Sequence, residues 1–352
     1  MQKNRMRYLD IYKGIGIVLV LLGHIGTTPY YLGLWLNAFH MPLFFVAAGL
    51  LIGENKLYNR DAMSIVRGRL RAVMLPYMWF SLIAIVWDGV KAFLTPAQHF
   101  KLDMIGKLWD SLSLFGVSVL WFLPAFFVGA TGYQLLRKKA AFSLALPVLT
   151  ALTVALLFLD GTVERLAATE MSAKIFLLKL LCVIPRGCLG AFFCAVGEGM
   201  GILVRCLERK KWSLLLTGLV ATLVGSYCAV SNVLVSVRYL VFGNMALFLG
   251  AAVCLTGGIL LLCRFVEHLP PLEYLGKYSL IIMVTHLDLR VFNIALKVGG
   301  KVLEWTGLAL AYDIVVAVVI IVLELFWIWL LDGRLSFLLG RKGRKNTGEK
   351  RK

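Results

Sequence analysis

The 352-residue chain is 60% hydrophobic and 16% charged, with a formal net charge of +18. A soluble domain of this length carries roughly a quarter charged residues, so the composition excludes an ordinary soluble protein and indicates a polytopic membrane protein. The basic residues lie in short clusters between apolar runs, which argues against nucleic-acid binding and favours loops that face an anionic membrane leaflet.

Apolar runs of about 20 residues predict an all-α integral membrane fold, a bundle of about ten transmembrane helices. The predicted spans are 11–28, 34–52, 72–94, 115–136, 140–159, 181–204, 212–230, 240–262, 275–296 and 308–331. Lys and Arg are concentrated in the segments that share a side with the N-terminus, so both termini are predicted to be cytoplasmic. Residues 1–333 are expected to form one transmembrane domain, and the basic segment 334–352 a disordered cytoplasmic tail.

The first span begins as "KGIGIVLVLLGH", in which ten uncharged residues separate Lys13 from His24. Eleven positions are close to three helical turns, so both side chains lie on one face, about 16 Å apart along the axis. Asp10 continues the same face toward the N-terminus. We therefore expect Lys13 and His24 to lie at two levels of one internal channel rather than in direct contact.

The second span contains His40 in "NAFHMPLFFVAAGLL", and an antiparallel hairpin would place His40 at a depth similar to that of His24. Two such histidines could hold a reacting hydroxyl or transfer a proton, although histidines satisfied by helix packing are the alternative. Arg67, Arg69 and Arg71 precede the third span. They are either ordinary cytoplasmic positive charges or a phosphate-binding collar for an anionic donor.

Further polar residues inside the spans are candidates for lining an acceptor pocket or channel, because lipid tolerates ionisable side chains poorly. These candidates are Asp10, Asp88, Trp121, His286 and Arg290. For Trp121 the alternative is anchoring at the membrane interface. The seven cysteines show no spacing typical of a metal site, and no metal is expected.

Five fragments in chain order resemble the acyltransferase 3 family of bacterial membrane O-acyltransferases, in particular its fucose 4-O-acetylase-like members. They are "RYLDIYKGIGIVLVLLGH", "FHMPLFFVAAGLL", "RGRLRAVMLPYMWF", "LWFLPAFF" and "LGKYSLIIMVTH". The family signature is a basic residue, ten intervening residues and a histidine, which Lys13 and His24 match. The family often has arginine at the position of Lys13. The lysine ammonium is a point charge, whereas an arginine guanidinium can donate two parallel hydrogen bonds.

The resemblance implies transfer of an acyl group, usually acetyl, from cytoplasmic acetyl-CoA or another short acyl-CoA to a sugar hydroxyl. The acceptor would be an envelope polysaccharide or a lipid-linked precursor, at the bacterial inner membrane. His24 would serve as general base or acyl relay, together with His40, and Lys13, Arg67, Arg69 and Arg71 would bind the donor. The resemblance implies no tightly bound cofactor and no nucleic-acid partner, and it leaves the oligomeric state open. The protein would contact membrane lipid. The alternative is a transporter or flippase for a glycan or small anion.

Overall fold

A computed structural model describes most of the chain: residues 6–25, 29–94, 98–156, 162–163, 172–287 and 291–341. Within these ranges the regular elements are helices, and extended pairing is limited to an isolated bridge between Ser236 and Val241. The all-α prediction is therefore confirmed for the described residues.

Fifteen α-helices are described, and we number them in chain order. They are α1 Arg7–Gly23, α2 Tyr30–Glu54, α3 Ala62–Arg69, α4 Leu75–Leu94, α5 Gln98–Leu112, α6 Phe122–Lys139, α7 Phe142–Ala155, α8 Ala173–Leu181, α9 Val183–Leu207, α10 Lys211–Val230, α11 Met245–Val266, α12 Pro270–Lys277, α13 Ser279–Thr285, α14 Val291–Thr306 and α15 Ala309–Asp332. A π-helical turn, Leu70–Met74, joins α3 to α4, and a 3-10 turn, Ser118–Trp121, leads into α6.

Seven of the described helical segments are long and apolar enough to cross a membrane. These are Tyr30–Glu54, Ala62–Val90, Ser118–Lys139, Ala173–Leu207, Lys211–Val230, Met245–Val266 and Ala311–Asp332. Each coincides with one of the ten predicted spans. The protein is thus a multi-pass membrane protein, while the count of about ten and the cytoplasmic position of both termini remain predictions.

The other three predicted spans look different in the structure. Span 11–28 corresponds to α1, which has 17 residues, and span 140–159 to α7, which has 14. Span 275–296 is not one continuous helix, because α13 ends at Thr285 and the Phe292 amide donates to the His286 carbonyl at 3.1 Å. The chain therefore turns at His286, with α14 starting at Val291.

The core is built around α2, whose residues are buried along most of its length. A Cβ atom on Gly49 would collide with the Cys194 carbonyl, and one on Gly197 would collide with the Val46 carbonyl. Helices α2 and α9 therefore touch backbone to backbone, as small residues permit in membrane bundles. This contact fixes the helix that carries the candidate residues of the second span.

The C-terminal segment packs further than expected. Residues Ser336–Leu339 form a 3-10 turn in which Leu338 and Leu339 are buried, and the Phe337 ring lies 6.0 Å from the Trp79 ring. Arg341 also forms an ion pair with Asp332. Ordered packing thus extends beyond residue 333, the predicted domain boundary, and the tail from residue 342 lies outside the described residues.

Candidate active site

Two neighbouring cavities contain five of the residues singled out from the sequence, namely Lys13, His24, His40, Arg69 and Trp121. The first, which we call the basic cavity, has a volume of about 470 Å³. The second, the histidine cavity, has a volume of about 220 Å³. Lys13 lines the basic cavity and His24 lines the histidine cavity, so the two ends of the first-helix pattern open into different spaces.

The basic cavity combines cationic side chains with an apolar wall. Its charged or polar lining side chains are Lys13, Arg60, Ser64, Arg69, Gln134 and Ser279, and its aromatic ones are Phe44, Phe122 and Phe126. Arg69 donates from Nη2 to Gln134 Oε1 at 2.9 Å and lies 5.8 Å from the centre of the Phe126 ring. Lys13 Nζ forms an ion pair with Asp10 Oδ1 at 2.8 Å.

The three arginines predicted as a possible phosphate-binding collar do not all line one cavity. Arg69 lines the basic cavity, whereas Arg67 and Arg71 are exposed and outside its lining. Arg60, in the loop between α2 and α3, lines it instead. The sequence marked this loop as basic, but the helix phase of α3 and the π turn after it decide which cation faces inward.

The histidine cavity is smaller and more polar. Its polar or aromatic lining side chains are His24, Asn37, His40, Ser118, Trp121, Ser236 and Arg238. His24 directly follows α1, and Trp121 ends the 3-10 turn before α6. The structure thus brings together His24, His40 and Trp121, which the sequence grouped as reacting and acceptor-side residues.

One hydrogen bond fixes the orientation of His40. Its Nδ1 lies 2.6 Å from the Leu36 carbonyl oxygen, which can only accept, so Nδ1 carries a proton and donates it to that oxygen. In the neutral ring Nε2 therefore keeps a lone pair. A nitrogen with a fixed lone pair beside a cavity can accept a hydrogen bond or a proton from a hydroxyl.

His286 lies behind His24 rather than among the side chains that line either cavity. Its side chain is fully buried, and its ring centre lies 5.4 Å from that of His24. Its Nδ1 donates to the Ile282 carbonyl at 2.8 Å, while its Nε2 has no hydrogen-bond partner among the described residues. His286 therefore supports the His24 ring from the point where α13 ends.

The remaining predicted acceptor or channel residues are spread over the molecule. Asp10 pairs with Lys13, as described above. Asp88 is buried, pairs with Lys107 Nζ at 2.7 Å between α4 and α5, and lines neither described cavity. Arg290 lies outside the described residues. In the part of the chain that the structure describes, no group of three or more His, Cys, Asp or Glu side chains could hold a metal ion.

The two cavities lie end to end along the same helices. In α2, residues 37–41 border the histidine cavity and residues 44–52 the basic cavity. In α1, Val20 borders the histidine cavity, as does His24 directly after the helix, and Lys13 borders the basic cavity. In α13, Ser279 faces the basic cavity and Met283 lines both. The Met283 side chain thus forms the shared boundary between the basic cavity and the histidine cavity.

Sequence reasoning missed Arg238, Asn37 and Gln134. Asn37 and Gln134 are uncharged side chains in helices, and no pattern distinguishes them from ordinary polar residues. Arg238 lies in the connection between α10 and α11, where a cation is expected on an exposed surface. Its neighbour Arg186, which lies within the predicted span 181–204, is buried and donates from Nε to the Arg238 carbonyl at 2.7 Å.

The fold and site define a helical, multi-pass membrane protein with a basic cavity that adjoins a smaller histidine-containing one. A family model described as an acyltransferase domain, acyltransferase 3, matches residues 6–332. The chain belongs to this acyltransferase family.

The chain also shows a distant similarity to one curated protein. Nodulation protein NolL of Mesorhizobium japonicum is 25% identical over 195 residues, which cover 52% of this chain and 49% of that protein. The chain thus matches about half the length of this relative. No solved structure matches the chain.

Proposed function

We propose that the protein transfers an acyl group, acetyl as first candidate, from cytoplasmic acyl-CoA to a sugar hydroxyl of an envelope polysaccharide or its lipid-linked precursor. The site of action would be the bacterial inner membrane. Membership of the acyltransferase family supports the reaction class. The observation that carries the proposal is the end-to-end arrangement of the basic and histidine cavities, which share Met283.

The basic cavity suits the donor. Acyl-CoA has an anionic nucleotide and a long, thin arm that ends in the thioester. Lys13, Arg60 and Arg69 supply cations for the phosphates, and the phenylalanines supply an apolar wall for the arm. Because Arg69 is held by Gln134, a neutral partner, its charge stays available for an anion.

The histidine cavity suits the reaction itself. The acceptor hydroxyl oxygen would attack the thioester carbonyl carbon while its proton passes to His24. The new C–O bond forms, the C–S bond breaks, and the leaving CoA thiolate takes the proton from the histidine. His40, with its fixed Nε2 lone pair, would orient the sugar by accepting a hydrogen bond from a hydroxyl.

A relay through an acyl-histidine is the alternative route within the same proposal. A lone-pair nitrogen of the neutral His24 ring would attack the thioester carbonyl, the C–S bond would break, and the CoA thiolate would take the proton of the acyl-imidazolium. The sugar hydroxyl oxygen would then attack the acyl carbon, the C–N bond would break, and the hydroxyl proton would pass to the imidazole. The two routes differ in whether labelled acyl-enzyme accumulates when acyl-CoA is supplied without acceptor.

The test is mass spectrometry of envelope glycans from a deletion strain complemented with the wild-type gene, His24→Ala or His268→Ala. His268 is an exposed histidine that pairs with Glu273 and lines neither the basic cavity nor the histidine cavity, and it is the matched control. We expect the glycans to regain the acyl group in strains that express the wild type or His268→Ala. Glycans of the His24→Ala strain should lack it, although the variant protein reaches the same level in the membrane. Full acylation by His24→Ala would refute its role, and no mass difference between deletion and parent strains would refute the proposed acceptor class.

A further inference from the structure

Arg238 is held in place by a structured connection. Residues 231–244 link α10 to α11, and within them the Ser236 amide donates to the Val241 carbonyl at 2.8 Å. The Asn232 side chain donates to the Phe242 carbonyl at 2.9 Å and accepts from the Asn244 amide at 2.9 Å. The segment is therefore tied together at both of its ends, and it presents Arg238 to the histidine cavity.

The guanidinium of Arg238 is only partly satisfied. Its Nη2 donates to the Gly116 carbonyl at 3.1 Å, while its buried Nε has no hydrogen-bond partner among the described residues. Among the described residues that line this cavity, none carries a carboxylate. A buried donor left without a partner costs free energy, more so when it is charged, so the arrangement favours a ligand that supplies an acceptor.

A second arginine strengthens the positive character of this region. Arg186 is 1% exposed and donates from Nε to the Arg238 carbonyl and from Nη1 to the Phe115 carbonyl at 3.1 Å, while its Nη2 has no partner among the described residues. Among those residues neither arginine forms a described ion pair. Arg186 thus joins two wall segments of the cavity, which carry Arg238 and Trp121, and adds a second cation behind them.

From these observations we infer that Arg238 binds an anionic group of the acceptor, so that the acceptor is a charged sugar, a sugar phosphate or a uronic acid, rather than a neutral one. This rests on the proposed function, because it assigns the histidine cavity to the acceptor. A phosphate or carboxylate accepts two N–H groups of a guanidinium in parallel, and it would also supply the missing counter-charge. A neutral sugar would supply no counter-charge.

The experiment measures binding of sugar probes to the full-length protein in lipid nanodiscs by titration with glucose 1-phosphate, glucuronic acid and glucose. We expect the wild type to bind at least one anionic probe more tightly than glucose. Arg238→Gln should weaken anionic-probe binding about 10- to 100-fold, the range for loss of a charge-assisted hydrogen-bonded pair, with little change for glucose. The preferred probe separates a phosphate-bearing acceptor from a uronic acid.

Arg209→Gln, which removes one charge from an exposed position between α9 and α10, is the matched control and should behave like the wild type. Arg238→Lys should retain part of the preference because it keeps the charge but not the fork. Equal wild-type affinity for all three probes would overturn the inference. So would an equal loss of glucose and anionic-probe binding in Arg238→Gln, which would indicate a structural or oxyanion-stabilising role.

Binding of acetyl-CoA, measured on the same samples, keeps the two proposals apart. Arg238-dependent binding of an anionic sugar without acetyl-CoA binding would support the anion site and refute the proposed acyl donor. Acetyl-CoA binding with no preference for anionic sugars would support the donor and overturn the anion site.

Discussion

The basic cavity and the histidine cavity lie along the same helices but are built differently. Helices α1, α2, α3, α6 and α13 form most of the basic cavity, and its cations stand among phenylalanines. The histidine cavity takes part of its wall from the 3-10 turn Ser118–Trp121 and from the connection 231–244, and it is about half as large. A long helical wall suits a long ligand, whereas turns and connections place several polar groups around one point.

The same difference explains which residues the sequence could identify. The spacing of Lys13 and His24 is a helical pattern, and the structure places Lys13, in α1, and His24, directly after α1, in two different cavities. Arg238 lies in a connection whose path depends on contacts with Arg186 and Gly116, far away in the chain. No local sequence pattern encodes such contacts, so the part of the histidine cavity formed by the connection 231–244 could not be predicted.

The predicted membrane spans show a similar division. Seven runs became long helices because apolar length alone determines them. The run 275–296 is less apolar, because it contains Lys277, His286, Asp288 and Arg290. Its helix ends at Thr285, whose hydroxyl donates to the buried Glu324. The end of this helix places His286 against His24, a contact between distant parts of the chain that hydropathy does not reveal.

The largest expected effect comes from the histidines. His24→Ala should lower kcat about 100- to 10,000-fold, the range for loss of acid–base catalysis, because His24 takes the hydroxyl proton. His40→Ala removes the hydrogen bond that orients the sugar and should also lower kcat, by a smaller factor. The acetyl-CoA Kd should stay close to the wild-type value. Stopped-flow transfer assays and binding titrations in nanodiscs would measure both, with His268→Ala as control. A matching loss of acetyl-CoA affinity would show that the two cavities are not functionally separate.

The next largest effect is expected from substitutions of Met283, at the boundary between the two cavities. Met283→Trp should fill the shared space and lower acyl transfer about 10- to 100-fold, because the thioester would no longer reach the hydroxyl in the productive geometry. Met283→Leu, which nearly conserves volume, should stay near wild type. Transfer rates measured at saturating acetyl-CoA would decide the point. Unchanged transfer in Met283→Trp would place the reaction path elsewhere.

A smaller effect is expected at the basic cavity. Arg69→Gln should raise the acetyl-CoA Kd about tenfold by removing one charge-assisted phosphate contact, with kcat at saturation little changed. Arg67→Gln, two positions away on an exposed face, is the matched control and should not alter the Kd. Equal effects of both substitutions in binding titrations would mean that general positive charge, not this cavity, attracts the donor.

The smallest effect concerns folding stability. Lys13→Met leaves Asp10 buried without its cation and should lower the Tm in detergent, whereas Lys13→Met combined with Asp10→Asn should recover most of the loss. A double-mutant cycle should give a coupling free energy of about 1 kcal/mol. Additive losses in thermal unfolding would show that Asp10 relies on other contacts.

The most direct measurement is a cryo-EM structure of the full-length protein with a non-hydrolysable acetyl-CoA analogue. We expect its phosphates beside Lys13, Arg60 and Arg69, its arm along the phenylalanines, and its acyl carbon past Met283 within reach of His24 and His40. Density that places the acyl end outside the histidine cavity, or the nucleotide away from the basic cavity, would contradict a donor path through the two cavities.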